Sequence, residues 1–411
     1  MRKMITLALC LFSLVGMAHT VSAQPWTRFY DGAGAGTDSA RSIAVDVGSN
    51  VIVTGKSYSG TTTGEDIVTV KYNPMGTLLW TRRYDGPAHG SDMGRGVAVD
   101  NAGNIYVIGQ SQGVGTGVDF VTLKYAPNGS MLWSRRYSRA GENTDIPWRL
   151  AVNGRDGSVY VAGGGYSTTA DFDFLVVKYD TNGNRPWVNV YDGAAHGYDF
   201  ASGITLDSAG DVLVTGASTG VGTDVDFATI KYASTGVRQW VKRYNSPANR
   251  VDYANAIAVD GAGNCFVTGN SYRSDTECRF VTIKYGPTGT TLWIQQYNNG
   301  GIDIPWCIAT DLAGNVFVAG QSPTLTTGND YLLLKYSNDG AVLWKRRFDG
   351  AGSGDDVVNA LAVDSFGNAY ITGYSYSGGT ELNDIVTLRY NNAGTLRSEE
   401  HTSELQSHSD L

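Results

Sequence analysis

Residues 96–110 read GVAVDNAGNIYVIGQ and residues 119–137 read DFVTLKYAPNGSMLWSRRY. Four short runs stand out, Gly96–Asp100, Asn104–Gln110, Asp119–Tyr125 and Met131–Tyr137, each rich in β-branched or aromatic residues and bounded by Gly, Asn, Asp or Pro. Such side chains fit a pleated surface, and the bounding residues supply turns, so the runs predict four short antiparallel strands. Between the first two, Asp100 can accept backbone N–H bonds and Gly103 can adopt positive φ, as a tight turn requires. The alternative, a calcium loop, needs a D-x-D-x-D-G spacing that this turn lacks. No stretch of the chain offers helical apolar spacing over three turns.

The same pattern recurs on both sides. A tryptophan opening W-x-(R/K/N/Q)-x-(Y/F) stands at Trp26, Trp80, Trp133, Trp187, Trp240, Trp293 and Trp344, at spacings of 54, 53, 54, 53, 53 and 51. In step with it run an aspartate (Asp38, Asp92, Asp145, Asp199, Asp252, Asp303, Asp356) and a V(T/A/I)G segment ending at Gly55, Gly109, Gly163, Gly216, Gly269, Gly320 and Gly373. A D(F/I/Y)xxxKY segment then ends at Tyr72, Tyr125, Tyr179, Tyr232, Tyr285, Tyr336 and Tyr390. Four strands in a unit of about 50 residues is the arithmetic of a β-propeller blade, and shorter-period solenoids do not fit it. The expectation is an all-β, seven-bladed propeller of four-stranded antiparallel blades over residues 24–396. The lone strand opened by Trp26 would complete the last blade and close the ring, leaving no long unpaired edge.

The two ends depart from the pattern. Residues 1–23 carry a basic start, an apolar run too short to span a membrane, and a small-x-small Val21-Ser22-Ala23 end, which reads as a secretory signal peptide. Residues 397–411, RSEEHTSELQSHSDL, lack Gly and aromatics and place Ser398 where an eighth tryptophan belongs. They read as a translated sequencing adapter, a non-native tail on a truncated chain. The expected compartment is the periplasm, cell surface or exterior, reached through the signal peptide, with no transmembrane segment.

The runs SIAVDVGSNVIVTGKSYS and DIVTVKYNPMGTLLWTRRYDG, with their copies from about Trp26 to Leu396, resemble the SBBP repeat, the seven-bladed β-propeller repeat of bacterial exported proteins. That resemblance implies the architecture and the export. It carries over no catalytic residues, because the family shares none. The Tyr125–Trp133 turn also resembles the tryptophan-docking motif of quinone-dependent propeller dehydrogenases, whose cofactor site has no counterpart here.

Composition narrows the chemistry. With Gly at 53 of 411 residues, 17% charged residues, 24 Tyr and 9 Trp, the chain has the apolar surface to fold and the turn residues of a β protein. A formal net charge of −8 offers no basic footprint for nucleic acid. His89 and His196 fall in loops of different repeats, and the cysteines lack paired spacing, so no zinc set is expected. Cys265 and Cys278 would sit at opposite ends of a hairpin, too far apart to bridge, which predicts free buried thiols. Gly109-Gln110-Ser111-Gln112-Gly113 and Gly216-Ala217-Ser218-Thr219-Gly220 match G-x-S-x-G. Both serines occupy one repeat position at a strand end, without the strand–turn–helix context of a nucleophile elbow.

Residues that recur hold the blades, so function should lie where the copies differ. The connections before the first strand and between the second and third strands vary in length and emerge on one face, the usual binding face of a propeller. Three residues after each loop aspartate stand Arg41, Arg95, Trp148, Ser202, Asn255, Trp306 and Asn359. Arg41, Arg95, Trp148, Asn255, Trp306 and Asn359 form the expected ligand-binding set at the channel mouth, with Trp148 and Trp306 in matched Asp-Ile-Pro-Trp sequences. Tryptophan can stack on a sugar or plug the channel; arginine can pair with an anion. The function expected is that of a non-enzymatic exported module binding an extracellular glycan or protein, with no cofactor and no metal. The alternative is an envelope lyase or quinone-dependent dehydrogenase working at the same mouth.

Overall fold

The computed structural model describes residues 26–32, 36–58, 60, 64–139, 144–166, 172–324, 328–350, 352, 354–376 and 384–396. The expected signal peptide and the tail from residue 397 lie outside the described residues. Among the described residues twenty-seven strands form seven antiparallel sheets, six of four strands and a seventh of three, each in chain order. The first strands of successive sheets touch one another from the first sheet to the seventh, which makes them the innermost strands of a propeller. Among the described residues no helix is long and apolar enough to cross a membrane.

In the second blade the strands are Asp92–Val99, Ile105–Gly113, Gly117–Tyr125 and Met131–Tyr137. The innermost strand starts four residues before the expected Gly96, because the chain keeps pairing through a one-residue bulge: Gly94 faces Gly109, Gly96 faces Ile108, and Arg95 is left over. The two middle strands are covered on both faces, so Ile105, Tyr106, Val107 and Ile108 are all fully buried. Ile105, Val107, Val121 and Leu123 pack on Ile52, Ile67 and Trp80 of the first blade. Apolar side chains interleave between twisted sheets, and each blade depends on its neighbours for its core.

The repeated tryptophan and the polar residue two after it bind the next blade. Trp80 Nε1 donates to the Pro127 carbonyl at 3.1 Å, and Arg82 Nε to the Gly129 carbonyl at 2.6 Å. The pair recurs as Trp133 on Thr181 at 3.1 Å with Arg135 on Gly183 at 2.7 Å. Gly129 has φ +84°, and a Cβ there would come within 2.9 Å of the Trp80 ring, so both the turn and the docked indole require glycine. The lysine of the KY segment completes the clamp: Lys71 pairs with Asp46 at 2.8 Å and reaches the Pro127 carbonyl at 3.2 Å.

The first and last blades meet differently from the others. Trp26 docks on the first blade in the repeated manner, with Nε1 donating to the Pro74 carbonyl at 3.0 Å and Arg28 Nε to the Gly76 carbonyl at 2.6 Å. Residues 26–32 therefore hold the station of a fourth strand that precedes blade one. They form no strand, however, and the seventh sheet ends at Asp384–Tyr390 without the expected partner. Ile385, whose counterparts Ile67, Phe120, Phe174, Phe227, Phe280 and Tyr331 are buried against the following blade, is 87% exposed. The tryptophan clamp fixes residues 26–28 to blade one, and it makes no demand on the edge of blade seven.

Candidate functional site

All seven variable positions are bulge residues. The register of first and second strands slips between Ala40 and Ser42, Gly94 and Gly96, Ala201 and Gly203, Ala254 and Ala256, Pro305 and Cys307, and Val358 and Ala360. In blade three Pro147 faces Gly163 and Arg149 faces Ala162, leaving Trp148 over. A bulge leaves one residue out of the ladder and re-aims its side chain. The glycine of the V(T/A/I)G segment makes room for it. A Cβ on Gly216 would lie 2.0 Å from the Phe200 carbonyl oxygen, and one on Gly269 2.0 Å from that of Tyr253. A recurring glycine and a variable residue are thus two halves of one device.

Trp148, Asn255 and Trp306 come together in one cavity of about 230 Å³, closed by Arg149, Tyr198, Phe200, Ser202 and Tyr253. A second hollow, lined by Asp224, Arg250, Tyr272 and Asp275, shares Tyr253 with the first. The two matched tryptophans differ in state. Trp148 meets Phe200 edge-on at 5.6 Å and carries the guanidiniums of Arg95 and Arg149 at 4.9 and 5.7 Å from its ring centre. Trp306 donates to Gln321 Oε1 at 3.2 Å and stays 42% exposed. Trp148 is therefore packing, and Trp306 offers an open face. Arg95 stands beside this cavity rather than in its wall, held by two donations to Gln110 Oε1 at 2.9 and 2.6 Å. Neither Arg41 nor Asn359 lines it.

The aromatic wall was not visible in the repeat arithmetic. Phe172, Tyr198 and Phe200 stack nearly parallel, Phe172 at 5.7 Å from Tyr198 and 5.6 Å from Phe200, with Tyr166 edge-on to Phe172 at 4.8 Å. Its only trace in the sequence is an aromatic after the loop aspartate in blades four and five, at Phe200 and Tyr253. Tyr198 and Tyr253 stay exposed beside it.

Elsewhere on the loop face acidic side chains gather at three blade seams: Asp66, Asp85 and Asp92; Asp173, Asp192 and Asp199; Asp330, Asp349 and Asp356. Each group already holds a guanidinium, from Arg83, Arg139 and Arg347 respectively. The serines of the two G-x-S-x-G matches are likewise spoken for. Ser111 Oγ accepts from Arg136 and Ser218 Oγ from Arg243, both at 2.5 Å and both fully buried. Cys265, Cys278 and Cys307 are free thiols, and Cys265 pairs with Tyr285 while Cys278 pairs with Tyr272, at opposite ends of their hairpin.

Seven meandering sheets around an axis, with the repeat-variable residues as bulges of the innermost strands, define a β-propeller. The family model of the SBBP β-propeller repeat matches residues 80–115, 239–274 and 344–379. No curated protein matches the chain. Among solved structures, puromycin hydrolase is similar at 12% identity over 88% of this chain and 53% of its own, with a TM-score of 0.50. A mutant of that hydrolase complexed with PGG is similar at 12% identity over 90% of this chain and 55% of its own, with a TM-score of 0.51. The chain thus spans about half the length of the hydrolase, and at this identity the likeness is one of fold. A protein of unknown function from Dyadobacter fermentans DSM 18053 is similar at 12% identity over 71% of this chain and 92% of its own, with a TM-score of 0.42.

Proposed function

We propose that this chain is an exported, non-catalytic propeller of the cell envelope or secreted surface that binds carbohydrate at its channel mouth. The observation that carries the reading is the cavity between blades three and six, where the open Trp306 ring, Tyr253 and Tyr198 stand beside Asn255 and Ser202. Flat apolar faces with a few convergent polar groups match the two sides of a sugar ring, its C–H face and its hydroxyl edge. Export is supported by the signal-like residues 1–23. The test is oligosaccharide-array binding, followed by calorimetry on the best ligand, for the chain and its W306A/Y253A variant. Binding should weaken at least about tenfold, or 1.4 kcal/mol. The melting temperature should hardly move, because both rings are substantially exposed. Undiminished binding in the variant would overturn the reading.

A further inference from the structure

Three cations at the channel mouth stand together without a counter-charge. Arg41 and Arg95 are the bulge residues of blades one and two. Arg149 follows the bulge residue of blade three, at a position where the other blades carry Ser42, Gly96, Gly203, Ala256, Cys307 and Ala360. A long cationic side chain there departs from a series of small ones. Arg95 and Arg149 both rest on the Trp148 ring, and Arg149 also donates to the Trp148 carbonyl at 3.1 Å. Burial, and then the charges of Arg41 and Arg149, work against the protonated form of Arg95, which therefore feels a guanidinium from the blade on each side. Arg149 also comes within electrostatic reach of Cys307 in blade six, whose thiol burial pushes up to about 11 and so leaves neutral.

Arginines elsewhere in the blades are either paired or spent on backbone carbonyls, as Arg82 is on Gly129 and Arg135 on Gly183. Arg83, Arg136, Arg139, Arg243 and Arg347 each meet an aspartate in an ion pair. Among the described residues Arg41, Arg95 and Arg149 make none, in a chain with 39 acidic residues to draw on. Arg95 is half-buried while Arg41 and Arg149 are exposed, and gathering three like charges there is unfavourable unless an anion completes the set. The guanidinium fork suits the planar or tetrahedral oxygens of carboxylate and sulfate, which it binds with two parallel hydrogen bonds. The packing that fixes Arg95 on Gln110 and Trp148 reduces the ordering cost of such a contact.

We propose that Arg41, Arg95 and Arg149 form an oxyanion site in the mouth of the axial channel, and that the ligand class is an acidic glycan whose carboxylate or sulfate sits among them. The ligand half rests on the carbohydrate reading above; the anion half does not. Two measurements separate them. In the first, melting temperature is followed as sodium sulfate replaces sodium chloride at constant ionic strength, for the full chain, R41Q and R95Q/R149Q. Sulfate stabilises any fold weakly by exclusion, so the comparison between variants is what counts. The parent should gain several degrees more than R95Q/R149Q, with the exposed R41Q between them. An equal gain in all three overturns the site. Should R95Q/R149Q fail to fold, R41Q alone carries the same comparison.

In the second measurement, calorimetry compares an oligogalacturonate, a sulfated dextran oligosaccharide and unsulfated dextran. The acidic ligands should bind at least about tenfold more tightly than the neutral one and lose that margin in R41Q. Whichever acid binds tighter identifies the group as carboxylate or sulfate. Neutral dextran binding as tightly as both acids overturns the acidic ligand and leaves the carbohydrate reading standing. A variant-sensitive sulfate response with no oligosaccharide bound overturns the carbohydrate reading and the glycan with it, and leaves the oxyanion site.

Discussion

Asp145 shows how a single missing atom propagates. In the other copies a serine follows the V(T/A/I)G glycine two residues on, and at Ser57, Ser111 and Ser218 its hydroxyl stabilises the charged form of Asp38, Asp92 and Asp199. Blade three has Gly165 there, and the side chain of Asp145 fills the space a Cβ would take. Burial, with Asp119 adding to it, pushes the Asp145 carboxyl up to about 6, against the Arg139 N–H at 2.7 Å, which favours the charged form. A carboxyl that keeps its proton to higher pH when folded contributes stability that is complete below about pH 4 and lost as pH rises through about 6. Asp145→Asn removes that dependence while keeping an oxygen for Arg139. Relative to the parent it should gain about 1–3 kcal/mol between pH 4 and pH 8, read from denaturant melts at both pH values. At the same scale, Gly216→Ala forces a Cβ toward the Phe200 carbonyl oxygen, 2.0 Å from its ideal position. It should cost about 2 kcal/mol or more, because backbone rather than a flexible side chain must yield. An equally stable alanine variant would show that the bulge does not require glycine.

At the scale of the element, the fourth strand is held less by its ladder than by its clamp. Trp133 is buried between blades, with its ring 5.9 Å from Tyr179 and 6.1 Å from Tyr106. Trp133→Ala should cost about 3–5 kcal/mol. Arg135→Ala, which loses one bond to the Gly183 carbonyl, should cost about 1 kcal/mol. Because the clamp lies between blades two and three, hydrogen exchange in W133A should rise first at Lys124 and Thr181, which it bridges. Exchange that rises uniformly along the chain would mean that the blades unfold as one unit. The innermost strand plays the opposite part. Its bulge gives up one rung of the ladder and in return frees one side chain for the mouth.

For the whole molecule, the ring meets itself between the seventh sheet and residues 26–32, which dock on blade one. In blade one Val68 of the third strand faces Arg83, three residues after Trp80. Pairing of residues 26–32 with the seventh sheet in the same register would set Phe29, three residues after Trp26, opposite Val386. Phe29 is 93% exposed, so its replacement disturbs no core. A Phe29→Cys/Val386→Cys pair should therefore form a disulfide under mild oxidation, seen as loss of two free thiols and a mobility shift on electrophoresis. Thiols that stay free would mean that residues 26–32 do not complete the seventh blade.

The sequence determined the strands and the blade count, because each recurs and each depends on short-range chemistry: the β-branched runs, the Asp–Gly turns, the spacing of Trp80 from Trp133. It also singled out Arg41, Arg95 and Trp148 as variable in a fixed place, since one residue per repeat escaped the pattern. Only the tertiary structure decided that this place is a bulge, which needs two strands in register to exist. The same holds for the unlike states of Trp148 and Trp306 and for the meeting of Arg149 with Arg95 on one indole. Residues that the sequence separates by a whole blade become neighbours when the blades turn about an axis, and no local pattern encodes that rotation.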